Sequence, residues 1–551
     1  MDQIRVSNLR CIADSGMVEI KPITLLVGAN SSGKSSFLRV FPLLKQSVET
    51  QTISGLLLNE GDVDFGFFNE AIHGGASELK LEFSFIIKNG LYQGGELNPF
   101  LAAPLPITCE LTYAKRAIDQ HYPFLRSVVL TMRSQDAFDE IKVVADEEGK
   151  ISKFKVNEFE ANDELLNWRL RVGRGVVPGL IQELVDDVNS TGLQPDEDSE
   201  NELFDANLIE ATKNLFHIES SKEMRLGTLR NIRIGVRQDM LTAMKDIPGA
   251  NYWNQQVSNW TLETPMFRKV RELLLGRTAR KLLSSARIHV SQLARSVHYF
   301  QPVRASVMRD YSSRDVEVGS VDPSGLNVAM VLASLRTDAQ QQFRDWMSTH
   351  FGFEVFPKKV GDGARIALRM KESGTGMEFN LADMGFGFSQ MLPFLLEIWT
   401  LVEYKPRRRR FRGSPVTNLA IPTSWIIAIE QPELHLHPAL QARVADLFVA
   451  MAVLSRERDV PVRFFLETHS PTIIERIGQH VEGGRLKSED VQVLLFERGL
   501  ENQQASTASV QSVTFDSKGV LQDWPFGFLS APFDPLPELP PAPASMQSAS
   551  E

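Results

Sequence analysis

An α/β fold, with a mainly parallel core sheet flanked by helices, is what the sequence predicts, and three apolar runs carry that prediction. They are Ile23-Thr24-Leu25-Leu26-Val27, Trp425-Ile426-Ile427-Ala428-Ile429 and Val462-Arg463-Phe464-Phe465-Leu466. Short β-branched or aromatic runs without polar alternation are strands covered on both faces, the usual condition of a parallel sheet. Each run ends in a glycine-rich or polar tip, and helical spacing follows. In open sheets of this kind, ligands gather at the carboxyl ends of the strands.

The first tip reads Gly28-Ala29-Asn30-Ser31-Ser32-Gly33-Lys34-Ser35, continued by Ser36 into helically spaced residues. This is a phosphate-binding P-loop in its proper strand-to-helix context. Glycines let backbone N–H groups wrap a phosphate chain, Lys34 reaches the β- and γ-phosphates, and the Ser35 hydroxyl ligates Mg²⁺. The chain is therefore expected to bind ATP with Mg²⁺.

The second tip reads Glu430-Gln431-Pro432-Glu433-Leu434-His435-Leu436-His437-Pro438. An acid at a strand tip beside a P-loop is placed to hold Mg²⁺, directly or through water, which makes Glu430 the candidate metal ligand opposite Ser35. Pro438 suits the first turn of a helix over 439–454. His435 and His437 lack the helical HExxH spacing of a zinc site, so zinc is not expected. The third strand leads through Glu467-Thr468 to His469, where a histidine can hydrogen-bond the γ-phosphate or orient water. Between the first and second tips lies Asp383-Met384-Gly385-Phe386-Gly387-Phe388-Ser389-Gln390, ahead of an apolar helix over 391–403. Gly385, Gly387, Ser389 and Gln390 make a second anion-binding tip. Arg304 is a further candidate, either sensing the γ-phosphate or pairing with Glu430 or Asp383.

The remaining organisation follows from composition. Residues 1–157 form a lobe with the P-loop and an antiparallel sheet, read from β-rich segments at 79–88, 107–115, 124–133 and a hairpin over 141–156. Residues 158–295 read as a mostly helical insertion with an acidic loop within 182–210. Residues 296–530 form a second lobe with the Gly/Ser tip, the acidic strand and the histidine, and the Pro/Ala/Ser-rich stretch 531–551 is expected to be disordered. The 551 residues carry a net charge of −10, so no global basic field grips nucleic acid. Two local basic segments, 405–412 and the Arg/Lys-rich stretch 267–287, keep DNA open as a partner. Cys11 and Cys109 are the only cysteines, which excludes a disulfide framework. With no signal-peptide pattern and no run of eighteen apolar residues, a cytoplasmic protein without a membrane partner is expected.

P-loop, Gly/Ser turn, Glu-tipped strand and histidine, in this order from Gly28 to His469, resemble the ABC-type ATPase head that RecF, SMC proteins and overcoming-lysogenization-defect (OLD) ATPases share. It more closely resembles prokaryotic AAA-type, OLD-like ATPases with a C-terminal domain of unknown function. Residues 430–438, Tyr299-Phe300-Gln301-Pro302-Val303-Arg304 and Gly519-Val520-Leu521-Gln522-Asp523-Trp524-Pro525-Phe526-Gly527-Phe528 carry that similarity. The resemblance implies ATP-dependent homodimerisation, the Gly385–Gln390 turn of one subunit closing on the P-loop nucleotide of the other. It also implies an effector protein encoded nearby and a role in phage defence. The alternatives are a RecF-like DNA-binding repair ATPase and an ATP-dependent nuclease. Glu467 and Glu475 do not make the Glu and Asp-x-Asp set of a Toprim nuclease, so nuclease activity is not expected.

The residue after the strand-tip acid is a water-polarising glutamate in most ABC-type heads. Here it is Gln431, which orients water but cannot accept its proton; Glu433 is the candidate to assist. Slow basal turnover and a long-lived ATP-bound dimer are expected. Steady-state phosphate release by the purified protein checks this, and rapid partner-free hydrolysis would contradict it.

Overall fold

The computed structural model describes residues 2–522 apart from 51, 53, 89–99, 118, 120, 134–137, 162–167, 174, 183–201, 306, 313–319, 362–364, 405–423, 459–460 and 499–506. The core of the acidic loop, the basic segment 405–412 and residues 523–551 lie outside the described residues.

All three apolar runs form strands of one sheet. Ile23–Gly28 is buried at every position, as a strand covered on both faces must be. It lies between Val462–Glu467 and Val491–Arg498, parallel to both. Trp425–Glu430 follows beyond Val462–Glu467, and Val297–Phe300 closes that edge, again parallel. Helices Pro438–Glu457 and Pro471–Glu482 are the crossover connections between these parallel strands. Pro438–Glu457 has the length and apolar composition to cross a membrane. In this fold it packs on Val462–Glu467 and Pro471–Glu482, burying one face that includes Val444, Leu447, Phe448 and Met451.

The parallel core sheet and the antiparallel sheet of the N-terminal lobe, expected as separate units, are continuous. Beyond Val491–Arg498 the order runs through Ala508–Val513 and Ile12–Asp14 to Gln3–Leu9. It continues as an antiparallel meander of Glu78–Ile87, Leu105–Lys115, Pro123–Arg133, Phe138–Ala145, Ile151–Val156 and Phe159–Glu160. The junction rests on a single parallel pairing, Ile12 with Ala508. Glu78–Ile87 alternates fully buried positions with more accessible ones, the pattern of an antiparallel strand with one better-covered face.

The region 158–295 opens with strands rather than helices. Phe159–Glu160 joins the meander, and Trp168–Arg171 pairs with Gly179–Gln182. Helices Glu202–Thr212, Lys222–Arg230, Arg237–Lys245 and Asn251–Val257 then lead into the 31-residue helix Pro265–Arg295. A separate antiparallel sheet, Tyr311–Ser312, Phe353–Val360, Arg365–Glu372 and Glu378–Asn380, precedes the Gly/Ser turn. The sequence reading missed it because a polar, half-exposed hairpin gives only a weak alternating pattern.

The long helix is fastened to the meander by a buried ion pair. Arg271 Nη2 donates to Asp139 Oδ2 at 2.6 Å, and Asn157 Nδ2 donates to Asp139 Oδ1 at 3.0 Å. Arg268 is paired with Glu263, and Arg277 with Asp205. These three arginines of the 267–287 stretch are thus held in ion pairs within the chain. Burial raises the Asp139 carboxyl pKa, yet the bonds to Arg271 outweigh it and hold the group below its usual value. A depressed carboxyl contributes stability that is present at neutral pH and lost as pH falls below about 4. Asp139→Asn leaves Arg271 buried without its counter-charge and should cost about 3–5 kcal/mol in denaturant unfolding at pH 7, with a smaller difference in acid.

Candidate functional site: a P-loop nucleotide site

The P-loop is shaped by close approach and by its own carbonyls. A Cβ on Gly28 would collide with the Phe496 carbonyl oxygen of the neighbouring strand, so the strand can end there only in glycine. Asn30 and Ser31 are exposed, whereas Ser32 and Lys34 are buried. Lys34 Nζ donates to the carbonyls of Gly28 at 3.0 Å and Ala29 at 2.7 Å. Burial lowers its pKa, partly offset by the Glu467 charge. Ser32 Oγ is buried without a partner, the condition of a polar group that awaits a ligand.

Two carboxylates stand side by side at the strand tips. Glu430 and Glu467 are register partners on adjacent parallel strands, which places their Cα atoms about 5 Å apart. Glu430 was expected opposite Ser35. In the structure its carboxylate takes a two-point ion pair from Arg39, at 2.6 and 2.9 Å, and a hydrogen bond from the Tyr299 hydroxyl at 2.7 Å. The Ser35 hydroxyl instead donates to Glu467 Oε1 at 2.9 Å. Burial and the neighbouring Glu430 charge push the Glu467 carboxyl up to about 7, against the Ser35 bond and Lys34.

The loop after Glu430 is strained. Gln431 and His435 adopt positive φ, 46° and 62°, a conformation that costs non-glycine residues of order 1 kcal/mol or more and clusters at functional sites. The Gln431 N–H donates to the Glu467 carbonyl at 2.8 Å, locking the two strand tips together. Glu433 Oε1 accepts the His469 backbone N–H at 2.7 Å, and its Oε2 is buried without a partner. Burial raises the Glu433 carboxyl above its ordinary range. The His469 imidazole is half-buried, and burial together with Lys34 lowers its pKa, favouring the neutral ring. His437 caps the helix Pro438–Glu457 through Nδ1. Among the described residues, no group of three or more His, Cys, Asp or Glu is arranged to hold a metal by itself.

The Gly/Ser turn joins the site through Arg304. Helix Phe386–Val402 starts after Gly385, and a Cβ on Gly387 would stand 2.7 Å from the His435 carbonyl. Ser389 and Gln390 are buried within the chain. Gln390 exchanges two 2.7 Å hydrogen bonds with the Arg304 backbone. The Arg304 guanidinium donates to the Gln390 carbonyl at 3.2 Å and to the Glu430 carbonyl at 2.8 Å. It was expected either to sense the γ-phosphate or to pair with Glu430 or Asp383, and it forms neither ion pair. Instead it holds the Glu430 backbone, and Asp383 pairs with Arg309. Burial lowers the Arg304 pKa to about 10, leaving it charged at neutral pH.

The structure thus brings the P-loop, Glu430, Gln431, Glu433 and His469 to one end of the parallel strands, with Gly385–Gln390 linked through Arg304. Sequence reading missed Arg39, Tyr299 and the site role of Glu467. Two signals were available: Arg39 lies one helical turn beyond Ser35, and Glu467 tips its strand as Glu430 tips its own.

A P-loop at a strand-to-helix junction, with acidic neighbouring strand tips, defines the class of P-loop nucleoside triphosphatases. The model of the AAA ATPase domain family matches residues 1–219 and 327–474, and the chain belongs to that family and is an ATPase. No curated protein matches it. Among solved structures, it is similar to an SMC head bound to the C-winged helix domain of ScpA, at 10% identity and TM-score 0.31, over 93% of this chain and 98% of that one. The SMC head domain from Thermotoga maritima is comparable, at 10% identity and TM-score 0.30, with the same coverage of each chain.

Lys34→Ala removes the one cation positioned by the loop itself. ATP affinity, measured by calorimetry, should fall roughly 10- to 100-fold, the worth of a charged hydrogen bond, with little change in the melting temperature of the nucleotide-free protein.

Proposed function

We propose that this ATPase is an ATP-switched, slowly hydrolysing dimeric clamp with an ABC-type head. Lobes 1–157 and 296–530 form its ATP-binding half-site, and 158–295 relays closure to a partner effector. The single observation that carries the switch is that the cations of the site are already paired within the chain. Lys34 is bonded to Gly28 and Ala29, and Arg39 to Glu430, so a bound triphosphate must compete for Lys34 and reorder its surroundings. A ligand that re-pairs buried charges has the differential interaction that shifting a two-state element requires.

In this reading the P-loop N–H groups and Lys34 hold the phosphates, and His469 orients the γ-phosphate or the attacking water. The oxygen donors Ser35, Glu430 and Glu467, two of them carboxylates, suit a hard cation such as Mg²⁺. The ion, when bound, would neutralise charge on the β- and γ-phosphates. Gln431 offers water a hydrogen bond without taking its proton, which favours a long-lived ATP state over fast turnover. Gly385–Gln390 would complete the site of a second copy, and service in phage defence through a neighbouring effector rests on family resemblance alone. Binding to DNA is the weaker alternative, because Arg268, Arg271 and Arg277 are engaged in ion pairs within the chain.

Light scattering coupled to size-exclusion chromatography, with and without ATP·Mg²⁺, tests the clamp. ATP should convert monomer to dimer in the wild type. Ser389→Ala, which adds no buried charge or bulk, should retain ATP binding and weaken dimerisation; dimers indifferent to both ATP and this change would sink the mechanism.

A further inference from the structure

We propose that Arg39 is a positioning residue that gates Glu430: its guanidinium holds the carboxylate in the nucleotide-free chain and must release it before the ATP-bound cation can use it. The assignment deepens the ATP-site reading and rests on it, with Glu430 kept as the acid on the metal's side.

Occupancy makes the first argument. Arg39 Nε donates to Glu430 Oε1 at 2.6 Å and Arg39 Nη2 to Oε2 at 2.9 Å, while the Tyr299 hydroxyl adds a third bond to Oε1 at 2.7 Å. A carboxylate offers about four acceptor positions, so little of this one is left over. Two-point guanidinium pairs are among the stronger hydrogen-bonded arrangements a carboxylate makes. A second cation drawn to the remaining position would stand against the guanidinium as a like charge.

Exposure says which partner moves. The Glu430 side chain is 3% exposed and the Arg39 side chain 36%. The Glu430 backbone is also fixed, because Arg304 donates to its carbonyl. The guanidinium thus has water to move into, and the carboxylate has none.

Chain geometry ties the gate to the P-loop. Arg39 is the joint between helices Lys34–Leu38 and Val40–Glu49, and its N–H donates to the Ser35 carbonyl at 2.9 Å. Ser35, whose hydroxyl a P-loop turns toward its cation, therefore stands one helical turn from the residue that covers the acid. A binding state that is only partly populated weakens apparent affinity by that fraction. Arg39 accordingly sets how tightly the ATP complex takes its cation, and removing the pair should strengthen that binding.

Mn²⁺, an electron-paramagnetic stand-in for Mg²⁺, gives a readout that needs no turnover. Its affinity for the full chain saturated with a non-hydrolysable ATP analogue is titrated by EPR, with metal-free analogue binding followed in parallel. The proteins compared are wild type, Arg39→Gln, Arg39→Lys, and Arg39→Gln combined with Glu430→Gln. Arg39→Gln should tighten Mn²⁺ roughly 10-fold, the worth of a charged hydrogen bond. Arg39→Lys keeps the charge and loses the two-point grip, so it should tighten Mn²⁺ by about threefold. An effect of charge through space alone would leave Arg39→Lys at the wild-type value and overturns the gate. In the double variant the gain should vanish, because no carboxylate remains to release; a gain that persists there overturns the gate, as does unchanged or weaker Mn²⁺ binding in Arg39→Gln. Should Arg39→Gln fail to fold with Glu430 left unpaired, Arg39→Lys carries the test, with tightening expected and unchanged or weaker binding overturning. A wild type that binds no analogue would overturn the ATP site itself and the gate with it; normal analogue binding with the same Mn²⁺ affinity in every Arg39 variant overturns the gate alone.

Discussion

The parallel pairing of Ile23–Gly28 between Val462–Glu467 and Val491–Arg498 is the constraint on which the rest of the molecule depends. It brings residues near the start of the chain against residues more than four hundred positions later, so the strand-tip neighbours of the P-loop are long-range contacts. Parallel neighbours need crossovers, and helices supply them on both faces. Burial on both faces then requires the apolar runs seen at 23–27, 425–429 and 462–466. Because all these strands point the same way, their carboxyl ends share one rim, and the polar tips have nowhere else to gather.

That rim is electrostatically costly. Glu430 and Glu467 sit side by side, both almost fully buried, and like charges so placed are tolerated only with counter-charges and hydrogen bonds. Arg39 and Tyr299 satisfy one, and Ser35 partly satisfies the other. Gln431 and Glu433 tie the rim down through backbone bonds to the 467–469 segment. The strain at Gln431 and His435 is borne by the packed strands beneath. Fold and site are therefore coupled: a ligand that changes the pairing of Lys34 or Glu467 acts on groups that also hold the strand tips in place.

Arg304 extends the coupling outward. It is buried, stacks over Phe394 at 5.2 Å, and joins the Gln390 carbonyl to the Glu430 carbonyl. A rearrangement at Glu430 thus has a mechanical route to the helix that begins at the Gly385 turn. The route is a chain of hydrogen bonds through one buried guanidinium.

Much of this was legible in the amino-acid order. Buried-strand runs, the P-loop and the strand-tip residues are local patterns, and local patterns announce α/β class, strand identity and the ATP site. The helix start at Pro438 and the β-rich segments of the meander were readable for the same reason. What the sequence could not determine was adjacency. No local signal says that Glu467 rather than Glu430 lies beside the P-loop strand, that the two sheets fuse through one pairing at Ile12, or that Arg39 turns toward Glu430. Those outcomes depend on strand order and on which buried charge finds which partner. Both are settled only when the whole chain packs, because the energies involved belong to pairs of residues far apart in sequence.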